Sequence, residues 1–224
     1  MLDRVATDEE LAIRADEHLL QGTLTVPDGA RGVVVFAHGS GSSRHSPRNV
    51  HVARVLQGAG LGTLLFDLLT ADEERVDALD ARLRFDIGLL SGRLDAAVRT
   101  VADDSRLAPL PVGLFGASTG AAAALVTAAR LPAIVRAVVS RGGRPDLAGA
   151  ALRDVQAAVL LIVGSLDHTV LELNLDAARQ LGAEHELSVV PGATHLFPEP
   201  GALDEVARLA TAWFVRTLVP PLRT

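Results

Sequence analysis

The sequence predicts an α/β fold, in which a mostly parallel β-sheet carries helices on both faces. Two observations favour it. Apolar runs typical of strands alternate with helical patterns from residue 32 to the end of the chain, as in repeated strand–helix–strand units. Several of these runs are apolar throughout, which is typical of strands buried on both faces. The 224 residues, 49% of them hydrophobic, suffice for one sizeable core, so we expect a single domain over residues 1–224.

The predicted elements follow one another in a simple order. The chain begins with two apolar segments bounded by the turn signal Pro27-Asp28-Gly29, which favour an antiparallel pair at one edge of the sheet. With six later runs they give eight strands, at 11–13, 18–26, 32–37, 62–67, 111–115, 135–140, 158–164 and 185–190. Helices are predicted at 47–57, 86–104, 121–130, 171–181 and 200–217, with room for a short one in 70–85. The connection at 141–157 is too short for a cap domain.

A serine lies at a sharp turn between the fifth strand and its helix. The segment Gly116-Ala117-Ser118-Thr119-Gly120 has the G-x-S-x-G spacing of a nucleophile elbow. A serine on so tight a turn has unfavourable backbone angles, and side chains in place of the two glycines would collide with neighbouring backbone. This arrangement presents Ser118 at the edge of the sheet, so Ser118 is the candidate nucleophile.

Two later segments offer the base and the acid that a serine nucleophile needs. His195 follows the last predicted strand, and Asp167 follows the strand before it. The carboxyl ends of parallel strands meet at one edge of a sheet, so both side chains are expected beside Ser118, in the chain order serine, aspartate, histidine. Two alternatives stay open: Asp67 as the acid, and Asp167 as no more than a turn or helix-capping residue.

The oxyanion of an acyl-transfer intermediate needs two N–H donors. The backbone N–H of Thr119, directly after the candidate nucleophile, is one candidate, and the backbone N–H of Ser40 is the other. Ser40 lies in the loop His38-Gly39-Ser40-Gly41 after the third strand, where two glycines let the backbone approach a ligand closely. His38 is expected to shape this loop rather than to transfer protons.

Four segments carry a family resemblance: His38-Gly39-Ser40-Gly41, Gly116-Ala117-Ser118-Thr119-Gly120, Gly164-Ser165-Leu166-Asp167 and Gly192-Ala193-Thr194-His195. Over nearly its whole length the chain resembles the α/β-hydrolases, and most of all their dienelactone-hydrolase-like branch. The resemblance implies a three-layer α/β-hydrolase sandwich and a serine-type triad of Ser118, Asp167 and His195. Dienelactone hydrolases use a cysteine nucleophile, whereas this chain has Ser118 at that position, which favours a general ester activity.

The expected function is the hydrolysis of carboxylic esters or lactones of small or flexible substrates through an acyl-serine intermediate. This chemistry needs no cofactor. Two alternatives stay open. A peptidase or a thioesterase would use the same triad, because bond specificity lies in the shape of the pocket. A non-catalytic protein that binds a small ligand on the same fold is an alternative of another class.

Several arginines lie near the predicted site. Arg44 and Arg48 follow the 38–41 loop, Arg84 follows an acidic stretch at 72–80, and Arg141 follows the sixth strand. Each is a candidate for binding a substrate carboxylate by bidentate pairing. The alternative is that they are solvated or form structural ion pairs with the acidic stretch, which is the interpretation we favour.

Composition excludes several other functions. The chain has no cysteine, which removes disulfides and thiolate metal sites, and it has no H-x-x-x-H spacing, so no metal site is expected. A net charge of −6 and a pI near 5.6 favour neither nucleic acid nor anionic membranes as partners. The charged N-terminal ten residues lack a signal-peptide core, and the apolar run at 121–129 is too short to span a bilayer. We therefore expect a cytoplasmic protein, whose oligomeric state no sequence pattern indicates.

Overall fold

The computed structural model describes residues 8–219. Eight strands form one sheet in the spatial order β1-β2-β4-β3-β5-β6-β7-β8. The strands are β1 Asp8–Ala15, β2 His18–Thr25, β3 Val33–Ala37, β4 Gly62–Phe66, β5 Val112–Ala117, β6 Val135–Arg141, β7 Ala158–Gly164 and β8 His185–Val190. The α-helices are α1 Pro47–Gly58, α2 Ala71–Asp80, α3 Ile87–Asp103, α4 Thr119–Arg130, α5 His168–Ala178 and α6 Ala202–Leu218.

The sheet has a parallel body and an antiparallel edge. β3 to β8 pair in parallel, β1 pairs antiparallel with β2, and β2 pairs antiparallel with β4. Every residue of β3, β4 and β5 is buried, because helices cover both faces of the sheet there. The carboxyl ends of the parallel strands therefore share one edge, where ligands bind in open α/β sheets.

The core has two layers, one on each face of the sheet. On one face Val52 of α1 and Phe214 of α6 pack against apolar strand residues. On the other face Leu94 of α3 and Ala122 of α4 do the same. Small alanines along α4 let this helix lie close to the strands. The result is the predicted three-layer sandwich.

The predicted fold class is confirmed, including the eight strands and the antiparallel N-terminal edge. The connection after β6 forms a 3₁₀ segment, Pro145–Asp154, which is kinked where Gly149 adopts φ 55°. No cap domain is inserted there. The carboxyl edge of the sheet is thus bordered by short loops and by α2.

Helix starts differ from the predicted ones. α4 and α5 begin two and three residues earlier than the sequence predicts, since the added residues are mostly polar or small and do not by themselves form the apolar periodicity that indicates a helix. The short helix allowed for in 70–85 is α2, followed by a 3₁₀ turn, Leu83–Phe85. Thr70 and Glu73 form a capping box at its start, each side chain accepting the other residue's backbone N–H.

None of the helices within residues 8–219 is both long and apolar enough to cross a membrane. The prediction that the N-terminal ten residues carry no signal-peptide core falls mostly on residues 1–7, which lie outside the described residues.

Candidate active site

Ser118 occupies the turn between β5 and α4 in a strained conformation, with φ 51° and ψ −119°. The chain can turn this tightly because glycines flank it. A Cβ on Gly116 would lie 2.4 Å from the Ala121 Cα, and a Cβ on Gly120 would lie 2.2 Å from the Ala37 carbonyl oxygen. Real Cβ atoms do not approach so closely, so any side chain there would displace backbone. The turn leaves Ser118 half-buried at the carboxyl edge of the sheet.

Asp167 and His195 are paired. The Nδ1 atom of His195 lies 2.6 Å from an Asp167 carboxylate oxygen. Asp167 stands at the N-cap position of α5 but makes no capping hydrogen bond, so its carboxylate serves His195 instead. The two loops meet where a Cβ on Gly164 would lie 2.3 Å from the Ala193 carbonyl oxygen. A glycine is therefore required for the loops after β7 and β8 to approach each other.

The nucleophile turn and the His195 loop both adjoin the dipeptide Arg141-Gly142. The Ser118 N–H donates to the Arg141 carbonyl oxygen at 3.2 Å. At the next residue, a Cβ on Gly142 would lie 3.0 Å from the His195 carbonyl oxygen and 3.5 Å from its Nδ1. Within residues 8–219 the Ser118 hydroxyl forms no hydrogen bond. Of the three predicted triad residues, Asp167 and His195 are therefore the two that are joined by a hydrogen bond. Hydrogen bonds to a nucleophile are often long in structures without substrate.

Glu199 fixes the His195 loop, a role the sequence analysis missed. One Glu199 carboxylate oxygen accepts the Thr194 hydroxyl at 2.6 Å and the Thr194 N–H at 3.1 Å. The hydrogen bond from the Thr194 hydroxyl is the main reason that the pKa of Glu199 lies below its usual value. No sequence pattern signals this contact, because it depends on a loop in which Phe197 adopts φ 55°.

The 38–41 loop passes directly over the nucleophile turn. A Cβ on Gly39 would lie 3.2 Å from the Ser118 Cβ. His38 holds this loop: its Nδ1–H donates to the Gly39 carbonyl oxygen at 2.9 Å, and its Nε2 accepts the Leu68 N–H at 3.1 Å. Because an N–H points at Nε2, the proton lies on Nδ1. Burial lowers the pKa of His38, which keeps the ring neutral.

The two predicted oxyanion donors are both free. Neither the Ser40 N–H nor the Thr119 N–H donates a hydrogen bond to any of residues 8–219. Both residues line a cavity of about 460 Å³ beside the turn. The Thr119 hydroxyl is also buried and has no partner among the described residues. Leucines form the apolar wall of the cavity: Leu68, Leu69 and Leu90. Its other side is charged and is formed by Glu74, Asp77 and Arg84.

Asp67, the alternative acid, is engaged elsewhere. One Asp67 carboxylate oxygen accepts the backbone N–H of Arg44 at 2.7 Å, and the other pairs with the Arg44 guanidinium. Arg44 also reaches Glu10, at 3.5 Å. Arg44 is thus part of a structural ion pair, and the side chain paired with His195 is Asp167.

Arg84 forms the structural ion pair that the sequence analysis favoured. Its guanidinium pairs with the buried Asp77 carboxylate, which also accepts the N–H groups of Leu83 and Arg84 at 2.7 and 3.0 Å. Burial acts to raise the pKa of Asp77, but these hydrogen bonds outweigh it and hold that pKa below its usual value. The free end of the guanidinium adjoins the 38–41 loop, since a Cβ on Gly41 would lie 3.6 Å from Arg84 Nη1.

Arg48 and Arg141 have no such partners. Arg141 is only 6% exposed, and Arg48 is half-buried. Neither guanidinium forms an ion pair or a hydrogen bond with residues 8–219; Nε and Nη1 of Arg141 and Nε of Arg48 are buried and unpaired. Burial, with a smaller contribution from the charge of Arg48, lowers the pKa of Arg141 to about 10. The interpretation favoured from the sequence is a solvated arginine or an ion pair with the acidic 72–80 stretch. Within residues 8–219 neither residue forms that ion pair, and Arg141 is buried rather than solvated.

The described residues contain no cluster of three or more histidine or acidic side chains arranged to hold a metal ion.

Comparison with known proteins identifies the family. A family model described as the dienelactone hydrolase family matches residues 20–218. A dienelactone hydrolase from Anabaena variabilis has a crystal structure 54% identical in sequence, with a TM-score of 0.94 over 95% of this chain and 99% of that one. An esterase domain from Rhodothermus marinus is 19% identical, with a TM-score of 0.74 over 95% and 99% of the two chains, and supports the fold alone.

Two curated Mycobacterium tuberculosis proteins, provisionally named phosphoribosyl transferases, are 58% identical over 214 residues. The match covers 96% of this chain but only 47% of the relatives, so the chain spans about half the length of the curated relatives it matches. The family model covers most of the chain, and the similar crystal structure has the same fold throughout. This chain belongs to the dienelactone hydrolase family and has the α/β-hydrolase fold.

Proposed function

We propose that this protein is a serine hydrolase that cleaves carboxylic esters or lactones of small or flexible substrates. The observation that carries the proposal is the 2.6 Å pair of Asp167 and His195. The His195 loop and the turn of Ser118, which has φ 51°, both adjoin the segment Arg141-Gly142. A strained backbone costs the protein stability, and such conformations cluster at functional sites. The family shown by the comparisons is a family of hydrolases.

The proposed mechanism assigns one step to each group. The Ser118 hydroxyl attacks the carbonyl carbon as His195 Nε2 takes its proton, while Asp167 holds the proton on Nδ1 and stabilises the imidazolium. The free N–H groups of Ser40 and Thr119 bind the oxyanion. His195 returns the proton to the leaving alcohol, and a water activated by the same ring then releases the acid. Each bond that forms or breaks has a group within the site to give or accept its proton.

The size of the cavity favours a small substrate. Its volume of about 460 Å³ lies within the usual range for small-molecule sites, and it begins at Thr119, directly after the nucleophile. The leucine wall suits a short apolar acyl chain. Arg84 remains a candidate for contacting a polar group of the substrate through its free end, while its pair with Asp77 limits its net charge there.

Phosphoribosyl transfer is the second candidate, because relatives 58% identical bear that name. The name belongs to proteins of which this chain matches 47% of the length. The groups gathered here are a serine, an imidazole and a carboxylate, which is the equipment of acyl transfer. We therefore favour hydrolysis.

The test replaces Ser118 and follows one ester. We expect Ser118→Ala to lower kcat/KM for 4-nitrophenyl acetate by at least about 1,000-fold, because the acyl-enzyme route disappears. Wild-type protein should also form a covalent adduct with a fluorophosphonate probe, found on Ser118 by peptide mass spectrometry. The matched control Ser105→Ala, at an exposed serine, should behave as wild type.

Three outcomes would contradict the proposal. Wild-type protein that neither reacts with the probe nor turns over esters would indicate a binding protein instead. Full activity in Ser118→Ala would overturn the mechanism. Faster turnover of thioesters or peptides than of esters and lactones in a matched panel, or turnover of a phosphoribosyl diphosphate donor alone, would assign the site to one of the other reactions.

A further inference from the structure

We propose that Arg48 and Arg141 form a binding site for a phosphate-type dianion carried by the substrate, directly beside the proposed nucleophile. The proposal rests on the hydrolase function above and specifies its substrate class: esters that bear a phosphoryl group. Within residues 8–219 these two guanidinium groups carry unpaired, buried N–H donors and form no ion pair.

The first step of the argument is position. Arg141 is the last residue of β6, and its carbonyl oxygen accepts the Ser118 N–H at 3.2 Å. Side chains alternate along a strand, and Ala137 and Val139 belong to the core layer under α1 and α6. The Arg141 side chain therefore lies on the face of the sheet that α1 covers, and Arg48 is the second residue of that helix. The charge of Arg48 is near enough to lower the pKa of Arg141.

The second step is charge. Arginine stays protonated at neutral pH even with the lowered pKa of Arg141, so two like charges stand close together. A buried charge is costly unless it is paired and hydrogen-bonded. The N-terminus of α1 adds positive potential, because its first turn has neither an acidic residue nor a side-chain cap. A bound anion would offset the repulsion between the two arginines, pair the buried charge and neutralise the positive potential of the helix N-terminus.

The third step is the choice of anion. The unpaired, buried donors are Nε and Nη1 of Arg141 and Nε of Arg48, three N–H-bearing atoms on two cations. A phosphate monoester offers three terminal oxygens and a charge close to −2, which match the three donor atoms and the two positive charges. A single carboxylate would leave one positive charge unbalanced. The residue before Arg48, Pro47, lines the cavity, so the N-terminus of α1 adjoins it.

The binding test needs no turnover. In the Ser118→Ala protein, inorganic phosphate should raise the melting temperature relative to chloride at equal ionic strength, by about 5–10 °C near a hundred times its Kd. Adding Arg141→Gln or Arg48→Gln should abolish this shift. The matched control Arg54→Gln removes the same charge from an exposed position on the same helix and should keep the shift. No shift with phosphate, or a shift that survives both arginine substitutions, overturns the site.

The activity test separates a substrate group from a free anion. We expect wild-type kcat/KM to favour acetyl glycerol phosphate over acetyl glycerol, and Arg141→Gln to lower that ratio by about 10- to 100-fold, as for a lost charged hydrogen bond. Arg54→Gln should leave the ratio unchanged. A phosphate-dependent melting shift without any preference for the phosphorylated ester overturns the substrate assignment. A melting-temperature shift with no hydrolysis of either glycerol ester or of 4-nitrophenyl acetate overturns the hydrolase proposal and leaves the anion site standing.

Discussion

At the scale of single residues, glycines decide whether the nucleophile turn can close. Gly120 lies in the first turn of α4, where any Cβ would meet the carbonyl oxygens of Ala37 and His38 at 2.2 and 2.5 Å. These are backbone atoms at the carboxyl end of β3, so they cannot move aside as a flexible side chain could. Gly92, in the middle of α3, has open space in the same direction. Two helical glycines therefore have opposite tolerance for a methyl group.

This contrast gives a matched prediction. Gly120→Ala should destabilise the protein by about 3 kcal/mol, because the backbone of β3 or α4 must shift. Gly92→Ala should stabilise it by about 0.5–1 kcal/mol, since alanine loses less backbone entropy in a helix. Urea denaturation of both variants measures the free energies of unfolding. A loss below about 1 kcal/mol for Gly120→Ala would contradict the steric account of the elbow.

Single residues also show what local sequence patterns cannot predict. The strand-end positions of Asp67 and Asp167 look alike in sequence, and only the chain order distinguishes them. In the structure the Asp67 carboxylate accepts the Arg44 N–H and pairs with its side chain, while Asp167 pairs with His195. The difference depends on contacts between residues more than twenty positions apart, which local spacing does not encode.

At the scale of elements, α2 and the following 3₁₀ turn depend on one buried carboxylate. Asp77 accepts the N–H groups of Leu83 and Arg84 and pairs with the Arg84 guanidinium, so it ties the turn back onto the helix. α2 buries little else, and Leu79 on its surface is 88% exposed. The T-x-x-E pattern at its start is readable from sequence, but this closing contact is not.

We expect Asp77→Asn to destabilise this segment by about 2 kcal/mol, because the ion pair is lost while one amide oxygen can still accept the backbone N–H groups. Urea denaturation gives the change in unfolding free energy, and hydrogen exchange locates it in α2. The matched control is Asp80→Asn on the same helix, whose exposed carboxylate should contribute less than about 0.5 kcal/mol. Equal effects for the two variants would contradict the assigned role of Asp77.

At the scale of the whole molecule, His38 connects two loops of the sheet edge. Its ring accepts the N–H of Leu68, after β4, and donates to the 38–41 loop, after β3. The folded protein lowers the pKa of His38 chiefly by burying it, from the value of about 6.5 that the unfolded chain has. Between the folded and unfolded pKa values the unfolded chain binds more protons, so stability falls as the pH falls below about 6.5.

His38→Gln should remove this part of the pH dependence. Glutamine offers a donor and an acceptor but does not titrate, so the variant should be less stable than wild type at pH 8 and the gap should narrow towards pH 5. Urea denaturation at each pH measures the gap. His185→Gln, at an exposed histidine on β8, serves as the control. A gap that stays constant with pH would show that His38 does not remain neutral in the folded state.

The sequence by itself determined the sheet, its strand count and the residues at its carboxyl edge. Apolar runs and glycine turns are local signals, and the rules of parallel sheets convert their order into positions. The sequence did not determine which charged side chains form ion pairs. The tertiary structure decided that Arg44 and Arg84 have acidic partners and that Arg48 and Arg141 have none among the described residues. Ion pairing depends on distances between side chains brought together from different elements, and no local pattern in the chain specifies those distances.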